Sequence, residues 1–394
     1  LHMNHKITRF FPGSSNNSVF NLLRLQSGIT AAAEASENLI VWGSYEGQSR
    51  ILYDDFVLFG LKNFNDNIGT VNPMVVKDIK IMKGAFDVSY GECVGGIADI
   101  TGKDGNRRKF SMNLNLDNYA VNTMIETPVS RNSSLIVAFR HTYRNLYENI
   151  NRDITPNQQT QIDSDVTIRP DYMFRDLNLK YTYRDEQDLH FQLSLLGGQD
   201  RFNYSVDETI TNWFRLNRKT TEKSQQQGGS LVIGKEGKNG LNTELSLSYS
   251  SLEAEYRNDQ ELVNIYTNTT RNPLSQETMN KTEEAQIKLE STWALNRNHQ
   301  LKGGVSWVGN RSTWQEDTSG VRFIDQQIKG SHITLMMQEE MSFNRIRISP
   351  GFRLTHVPYL EKFYGEPRIT SSLKISESLN LNIAAGLYRQ YLTK

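Results

Sequence analysis

From residue 110 onwards, apolar and polar residues alternate along several long segments of the chain. Six clear runs have apolar or small side chains at every second position: 110–116, 189–195, 241–249, 285–293, 301–307 and 379–387. Residues i and i+2 of a strand share a face, so each run predicts a strand with one apolar and one polar side. Followed to its last residue, the pattern predicts about thirteen strands.

The predicted connections between these strands alternate in length. Short turns are expected at 130–133, 185–188, 235–240, 296–299, 343–345 and 377–378. Long polar loops are expected at 144–171, 200–228, 255–283, 312–330 and 356–366. Only the first connection, near Asp117, is short where a long one is due. Such sorting is typical of an up-and-down outer-membrane barrel, whereas a soluble β-sandwich gives no reason for it.

The first part of the chain, residues 1–108, has a different pattern and predicts a small α+β unit. A helix is expected over 17–25, ending before Gly28, and a second helix of one or two turns is expected from Pro73. Short strands are expected at 39–42, 50–53, 78–82 and 96–101. We therefore divide the chain into residues 1–108 and residues 109–394.

Composition excludes several classes of protein. Lys and Arg total 44, as do Asp and Glu, so the basic excess of a nucleic-acid binder is missing. The longest apolar run, residues 135–139, is far shorter than the ~20 residues of a spanning helix. The mean hydropathy of −0.56 still fits a membrane barrel, because the interior of such a barrel is polar.

Candidate chemistry is sparse. The single cysteine, Cys93, excludes a disulfide framework and a cysteine-based zinc site. The zinc-hydrolase, nucleophile-elbow and phosphate-loop motifs are all missing from the sequence, so no enzyme activity and no cofactor are expected. Three acidic residues of one predicted loop are a weak candidate for a calcium site, with a solvated acidic loop as the alternative: Asp163, Asp165 and Asp171. Asp54 and Asp55 are predicted to be turn and cap residues.

Residues 38–105 resemble the plug domain of TonB-dependent outer-membrane receptors, especially the SusC-like branch. The resemblance is carried by an acidic-led strand, Asp78–Met82, and by the motif residues Lys83, Gly84, Tyr90, Gly91, Gly95 and Gly96. Residues 40–43 resemble the family's Ile-Arg-Gly strand, with Trp42 in place of Arg. Residues 52–56 resemble its Leu-Asp-Gly segment, with Asp55 in place of Gly.

The resemblance implies a membrane all-β fold, in which an up-and-down antiparallel transmembrane β-barrel of 22 strands encloses an α+β plug. The predicted strands would then form part of that barrel, at residues 109–394. We expect a fragment of a larger receptor that lacks both ends, because an odd number of strands cannot close an antiparallel barrel. Gly95 and Gly96 are expected where a plug strand passes close to other backbone.

The function implied by the resemblance is active import across the Gram-negative outer membrane. The nutrient would be a glycan, a peptide or a metal chelate, and plug movement would be coupled to the TonB protein through a segment outside this sequence. The lipid bilayer is an expected partner, and a SusD-like surface lipoprotein is a further one. The alternative is a non-transporting binding protein or adhesin built on a plugged barrel. Six residues are expected to face the ligand: Tyr45, Phe59, Asn63, Phe64, Asn65 and Asn67.

Overall fold

The computed structural model shows twenty strands within the residues that it describes. It describes residues 2–4, 19, 23, 26–30, 39–45, 47–60, 68–84, 86–117, 120–143, 166–237 and 239–391. The first seven strands are β1 His2–Asn4, β2 Ile29–Thr30, β3 Ile40–Val41, β4 Arg50–Tyr53, β5 Phe56–Leu58, β6 Val76–Met82 and β7 Ile97–Gly102. The other thirteen are β8 Ser111–Leu116, β9 Ala120–Ser130, β10 Ser133–Thr142, β11 Val166–Arg184, β12 Leu189–Thr211, β13 Phe214–Glu236, β14 Leu241–Asn264, β15 Thr270–Ala294, β16 His299–Thr318, β17 Val321–Phe343, β18 Ile346–Val357, β19 Lys362–Lys374 and β20 Asn380–Gly386.

Five of the early strands form one small sheet, with the order β1-β6-β7-β4-β5. Strands β4 and β7 run parallel, with Arg50 opposite Ile97, and the other pairs are antiparallel. Strands β2 and β3 pair separately. The small sheet has an apolar core that includes Ile51, Ile79 and Ile100, each at most 3% exposed. The core explains why these short strands hold together, because β4 and β6 bury alternate apolar side chains and β5 buries all three of its residues.

The two helices predicted in this region have different outcomes. Most of 17–25 lies outside the described residues, although Val19 and Leu23 are described and are buried in the core of the small sheet. The helix predicted from Pro73 is wrong, because Pro73 lies in a turn that leads directly into β6. The Asn72 side chain stabilises this turn by accepting a hydrogen bond from the Met74 amide at 3.0 Å.

The thirteen strands β8 to β20 form one large sheet in strict chain order. Every neighbouring pair is antiparallel, so the sheet is an up-and-down meander, and the predicted number of strands is confirmed. Within the described residues, β8 and β20 lie at opposite ends of the sheet and do not pair with each other. All six predicted short turns connect strands of this sheet.

Most of the predicted long loops are wrong, because the strands continue through them. Strands β12 to β15 contain 23, 23, 24 and 25 residues, whereas about 9–11 residues cross a bilayer. Thr211 at the end of β12 pairs with Phe214 at the start of β13, inside the predicted loop 200–228. These extensions are mostly polar on both faces, with scattered aromatic side chains, so the apolar alternation that marks a strand in the sequence is weak there, although the backbone ladder continues. Residues 144–165 of the first predicted loop lie outside the described residues.

The two faces of the large sheet differ in polarity. Exposed apolar side chains lie in register on one face, which we name the outer face, as in the row Leu247, Ile287, Trp307 and Ile333. The small sheet packs on the opposite face, which we name the inner face. Among the described residues, no helix is long and apolar enough to span a membrane.

Candidate functional site

The small sheet contacts the inner face through a few buried side chains. Phe56 of β5 is fully buried and lies against Gly228 of β13, where any Cβ would collide with its ring. Beside this contact, the Phe59 and Gly60 amides donate to Oε1 of Gln226 at 2.9 and 3.2 Å. Strand β5 and the two residues that follow it are therefore held against β13 by one glycine and one amide side chain.

Asp54 is the most thoroughly bonded carboxylate between the two sheets. Its Oδ1 lies 2.9 Å from Nζ of Lys180 on β11, and its Oδ2 accepts a hydrogen bond from Ser194 Oγ on β12 at 2.9 Å. The Gly102 amide also donates to Oδ1, at 3.0 Å. Asp54 has a left-handed backbone, with φ 44°, in the turn between β4 and β5. The sequence predicted the turn but gave no sign of the ion pair, because Lys180 is 126 residues away.

A second charged cluster surrounds Arg50 at the start of β4. Its Nη1 lies 2.6 Å from Glu92, and its Nη2 bonds Glu284 of β15. His332 of β17 places Nε2 2.8 Å from the other oxygen of Glu92. Burial alone would raise the pKa of Glu92, but the Arg50 guanidinium and His332 favour the charged carboxylate and lower the pKa below its usual range. Two carboxylates and one guanidinium therefore join the small sheet to the large one.

The segment between β6 and β7 is held by arginines from β18 and β19. Arg368 Nη1 donates to the Tyr90 carbonyl at 2.6 Å, and Arg353 Nη1 donates to the Val88 carbonyl at 2.5 Å. The Tyr90 hydroxyl donates to Asp99 at 2.7 Å. Burial and the nearby Asp99 charge raise the pKa of Tyr90, so the hydroxyl keeps its proton. Gly91 lies against the Arg353 side chain, where a Cβ would collide with the guanidinium.

Of the remaining motif residues of the predicted plug, Gly95 and Gly96 lie close to neighbouring backbone. A Cβ on Gly96 would lie 3.1 Å from the Met82 carbonyl and 2.9 Å from the Val41 Cβ. A Cβ on Gly95 would lie 3.0 Å from the Gln48 carbonyl. Gly84 has φ 133°, a value that side chains rarely adopt, and Lys83 Nζ bonds the Ser27 carbonyl.

The structure describes only two of the six residues predicted to face a ligand. Tyr45 lies in the segment before β4 and is 80% exposed, and Phe59 directly follows β5. Both segments lie at the same end of the small sheet as Arg50. Asp54 lies at the other end, where it contacts Lys180 near the end of β11 that leads into a short turn. The other four lie outside the described residues: Asn63, Phe64, Asn65 and Asn67.

Beyond the small sheet, the inner face continues along the long strand extensions. Residues that share this face carry aromatic, amide and hydroxyl groups: Tyr204, Thr220, Tyr256, Asn258, Asn280, Ser312, Trp314 and Gln326. Tyr256 and Trp314 are 40% and 45% exposed. This surface was not predicted, because the polar composition of these segments favours loops.

The weak calcium candidate is only partly described. Asp171 lies in β11 and accepts a hydrogen bond from Asn203 Nδ2 at 3.2 Å, so it belongs to a strand pair rather than to a loop. Asp163 and Asp165 lie outside the described residues. Among the residues that the structure does describe, no three His, Cys, Asp or Glu side chains are arranged to hold a metal ion.

Comparisons with known proteins find similarity in structure alone. No protein-family model matches the sequence, and no curated protein matches it. The ferric enterobactin receptor PfeA from Pseudomonas aeruginosa superposes with a TM-score of 0.61 at 14% identity, covering 98% of this chain and 61% of the receptor. The outer membrane transporter YddB from Escherichia coli gives 0.63 at 12% identity, covering 95% and 58%. The hemophore receptor HasR of Serratia marcescens gives 0.59 at 12% identity, covering 98% and 62%.

All three are named as receptors or as a transporter, and this chain spans about 60% of their length. At this level of identity the likeness concerns the fold. The small sheet and the thirteen-stranded large sheet together therefore have the fold found in these bacterial outer-membrane receptors and transporters.

Proposed function

We propose that this chain is part of a Gram-negative outer-membrane receptor that imports a large or scarce nutrient. In this proposal, residues 1–108 are the plug and residues 109–394 are part of the barrel wall. The observation that carries it is the packing of the small sheet on the polar inner face of a thirteen-stranded meander. The apolar outer face supports the membrane location, because a bilayer covers such a face.

The large sheet supports the view that further strands complete a barrel. All seven residues of β20 are exposed, and within the described residues β8 is paired on one side only. A row of unpaired backbone groups costs several kcal/mol per group in lipid. We propose that more strands pair with both edges and bring the barrel towards the 22 strands of the TonB-dependent receptors that the sequence resembles.

The contacts between the two sheets suggest how transport proceeds. Besides apolar contacts such as that of Phe56 with Gly228, they include ion pairs and hydrogen bonds, which water can replace when the small sheet moves. A polar cavity of about 30 Å³ lies beside Arg50 and Tyr90 and is lined by residues of both sheets. We propose that pulling by TonB, through a segment outside this sequence, breaks the Arg50 and Asp54 contacts and opens a path along the inner face.

Ligand capture is assigned to the long strand extensions, together with the side of the small sheet that carries Tyr45 and Phe59. Aromatic faces with amides and hydroxyls suit a glycan or a peptide. The names of PfeA and HasR point instead to an iron chelate or heme. If the ligand is a glycan or a peptide, we also propose a SusD-like surface lipoprotein as a partner.

The test uses the full-length protein in its own cell. Membranes are fractionated, and cells are then given three labelled ligand pools: oligosaccharides, peptides and ferric chelates. We expect the protein in the outer membrane, with uptake of one pool that stops when TonB is deleted while surface binding of that pool persists. Binding without TonB-dependent uptake would favour the adhesin alternative. Recovery of the full-length protein from the soluble fraction would overturn the proposal.

A further inference from the structure

A trough crosses the outer face of the large sheet where its apolar region meets the polar extensions. One register row runs across β13 to β17 and consists mainly of small residues: Gly229, Tyr249, Ala285, Gly309 and Ser331. Two adjoining hollows of about 960 and 720 Å³ lie along this row and share Tyr249, Ala285 and Trp307. Each has the size of a small-molecule site, about 300–1,000 Å³.

The wall of the trough nearer the short turns is apolar. It is the row formed by Leu231, Leu247, Ile287 and Trp307, and the last three are 36%, 48% and 38% exposed. The Trp307 ring lies over Gly309, where a Cβ would come within 2.8 Å of it. Because these side chains would face the bilayer, the substance that meets them in the membrane is a hydrocarbon chain.

The opposite wall carries two cations. Arg311 and Lys329 are cross-strand partners on β16 and β17, one row beyond Gly309, and both line the second hollow. Glu283 also lies there, 3.7 Å from Arg311, but it is shared with Lys281 at 3.6 Å and with the Tyr249 hydroxyl at 2.7 Å. In the part of the chain that the structure describes, no carboxylate lies within ion-pair distance of Lys329. The wall therefore has a positive excess.

We propose that this trough binds an acylated lipid whose headgroup carries a phosphate. The acyl chain would lie over Ala285 and against the Trp307 ring, and the phosphate would lie between Arg311 and Lys329. Basic side chains that adjoin a bilayer surface attract anionic headgroups, and Trp and Tyr side chains favour the same level. The inference rests on the membrane location given under the proposed function.

The test measures quenching of Trp307 fluorescence by brominated lipids. The full-length protein, with Trp307 as its only tryptophan, is reconstituted in phosphatidylcholine vesicles to which brominated phosphatidic acid or brominated phosphatidylcholine is added. A second variant retains only Trp293, which lies about 20 Å away, near the short-turn border of the apolar region. The charge variant is R311Q/K329Q, and the matched control is R257Q/R322Q, which removes two exposed arginines outside the trough.

We expect brominated phosphatidic acid to bind near Trp307 at least about threefold more tightly than brominated phosphatidylcholine. Trp293 should show no preference, R311Q/K329Q should abolish the preference at Trp307, and R257Q/R322Q should keep it. Equal quenching at Trp307 by the two lipids, or a preference that survives R311Q/K329Q, would overturn the lipid site and leave the membrane proposal intact. Quenching of neither tryptophan by either lipid would overturn the membrane proposal as well.

A second measurement tests the lipid site even if the single-tryptophan variants fold poorly. The unmodified full-length protein is analysed by native mass spectrometry with equal amounts of phosphatidic acid and phosphatidylcholine. Preferential retention of phosphatidic acid that is lost in R311Q/K329Q supports the site. Equal retention of both lipids contradicts it.

Discussion

Asp54 of the small sheet and Lys180 of the large sheet form an ion pair in which both side chains are at most 5% exposed, with Oδ1 and Nζ 2.9 Å apart. The Gly102 carbonyl also accepts a hydrogen bond from Lys180 Nζ, at 2.9 Å. The pair thus bonds the turn after β4 and the end of β7 to one side chain of β11. A buried pair of this kind fixes the position of the small sheet, because either charge alone would be buried without compensation.

Asp54→Asn should loosen the small sheet. Asn tolerates the left-handed backbone at this position, so the substitution removes the charge without disturbing the turn. Lys180 then keeps only the more distant Asp104 carboxylate, at 3.9 Å, and the loss of one partner of a buried pair costs up to about 3–5 kcal/mol. We expect a lower denaturation midpoint of the full-length protein in micelles and faster proteolysis of residues 1–108.

The matched control is Lys77→Met, which breaks the exposed Lys77–Asp104 pair at 2.5 Å. Exposed pairs contribute about 0–1 kcal/mol, so the midpoint should hardly move. An Asp54→Asn protein as stable as the Lys77→Met protein would show that the Asp54–Lys180 pair does not hold the small sheet.

Acid should release the small sheet through Glu92. The pKa of Glu92 is lowered from its ordinary value of 4.5, chiefly by Arg50 against the opposing effect of burial. A lowered pKa means that the stability from this carboxylate is complete above about pH 4.5 and is lost as the pH falls towards the lower folded-state pKa. We expect the denaturation midpoint of the full-length protein to fall between pH 5 and pH 3, with the fall reduced in Glu92→Gln.

The control for the acid experiment is Glu236→Gln on the exposed Arg184–Glu236 pair. This variant should lose stability with falling pH as the wild type does. If Glu92→Gln and the wild type followed the same pH profile, Glu92 would not be the group that couples acid to stability.

The sequence predicted the large sheet better than the small one. Thirteen strands and the positions of the short turns follow from apolar alternation and turn residues, both of which are local signals. The extensions of β12 to β17 were not predicted because most of their residues are polar, so the apolar alternation that marks the other strands is missing there. The turn at Pro73 was mistaken for a helix because a proline at the first helical position and a proline in a turn look the same in sequence.

The charged contacts between the sheets could not be predicted. Arg50 and Glu284 are 234 residues apart, and Asp54 and Lys180 are 126 residues apart. A single sequence does not show which of many charged residues on a predicted polar face meets a partner. The close approach of Gly96 to neighbouring backbone was predictable because a glycine at the start of an apolar strand often marks such a place.

Cys93 should report on release of the small sheet. It is the only cysteine of the chain and is 2% exposed, and burial raises the pKa of its thiol to about 12. The thiolate is the reactive form, so maleimide at pH 7.5 should label Cys93 very slowly in the folded protein. Arg50→Gln leaves Glu92 and Glu284 without their shared cation and should speed the labelling. Mass spectrometry of the peptide that contains Cys93 measures the rate, and fast labelling of the wild type would contradict the buried position.

Gly96→Val should prevent the small sheet from forming. Gly96 lies directly before β7, and its amide donates to Ser49 Oγ at 3.0 Å. A branched side chain there would overlap Val41 of β3 and press on the Met82 carbonyl at the end of β6, so three strands would have to separate. Overpacking of this kind costs about 1–3 kcal/mol or more, and backbone neighbours yield less readily than side chains do.

The matched control is Gly60→Ala, because a Cβ on Gly60 meets no atom within 4 Å. We expect Gly60→Ala to be inserted in the outer membrane at wild-type levels and to keep residues 1–108 resistant to protease. Gly96→Val should reach the membrane in reduced amount, and the inserted fraction should lose residues 1–108 to protease. Equal amounts of protease-resistant, heat-modifiable protein for the two variants would show that the close approach at Gly96 is not required for folding.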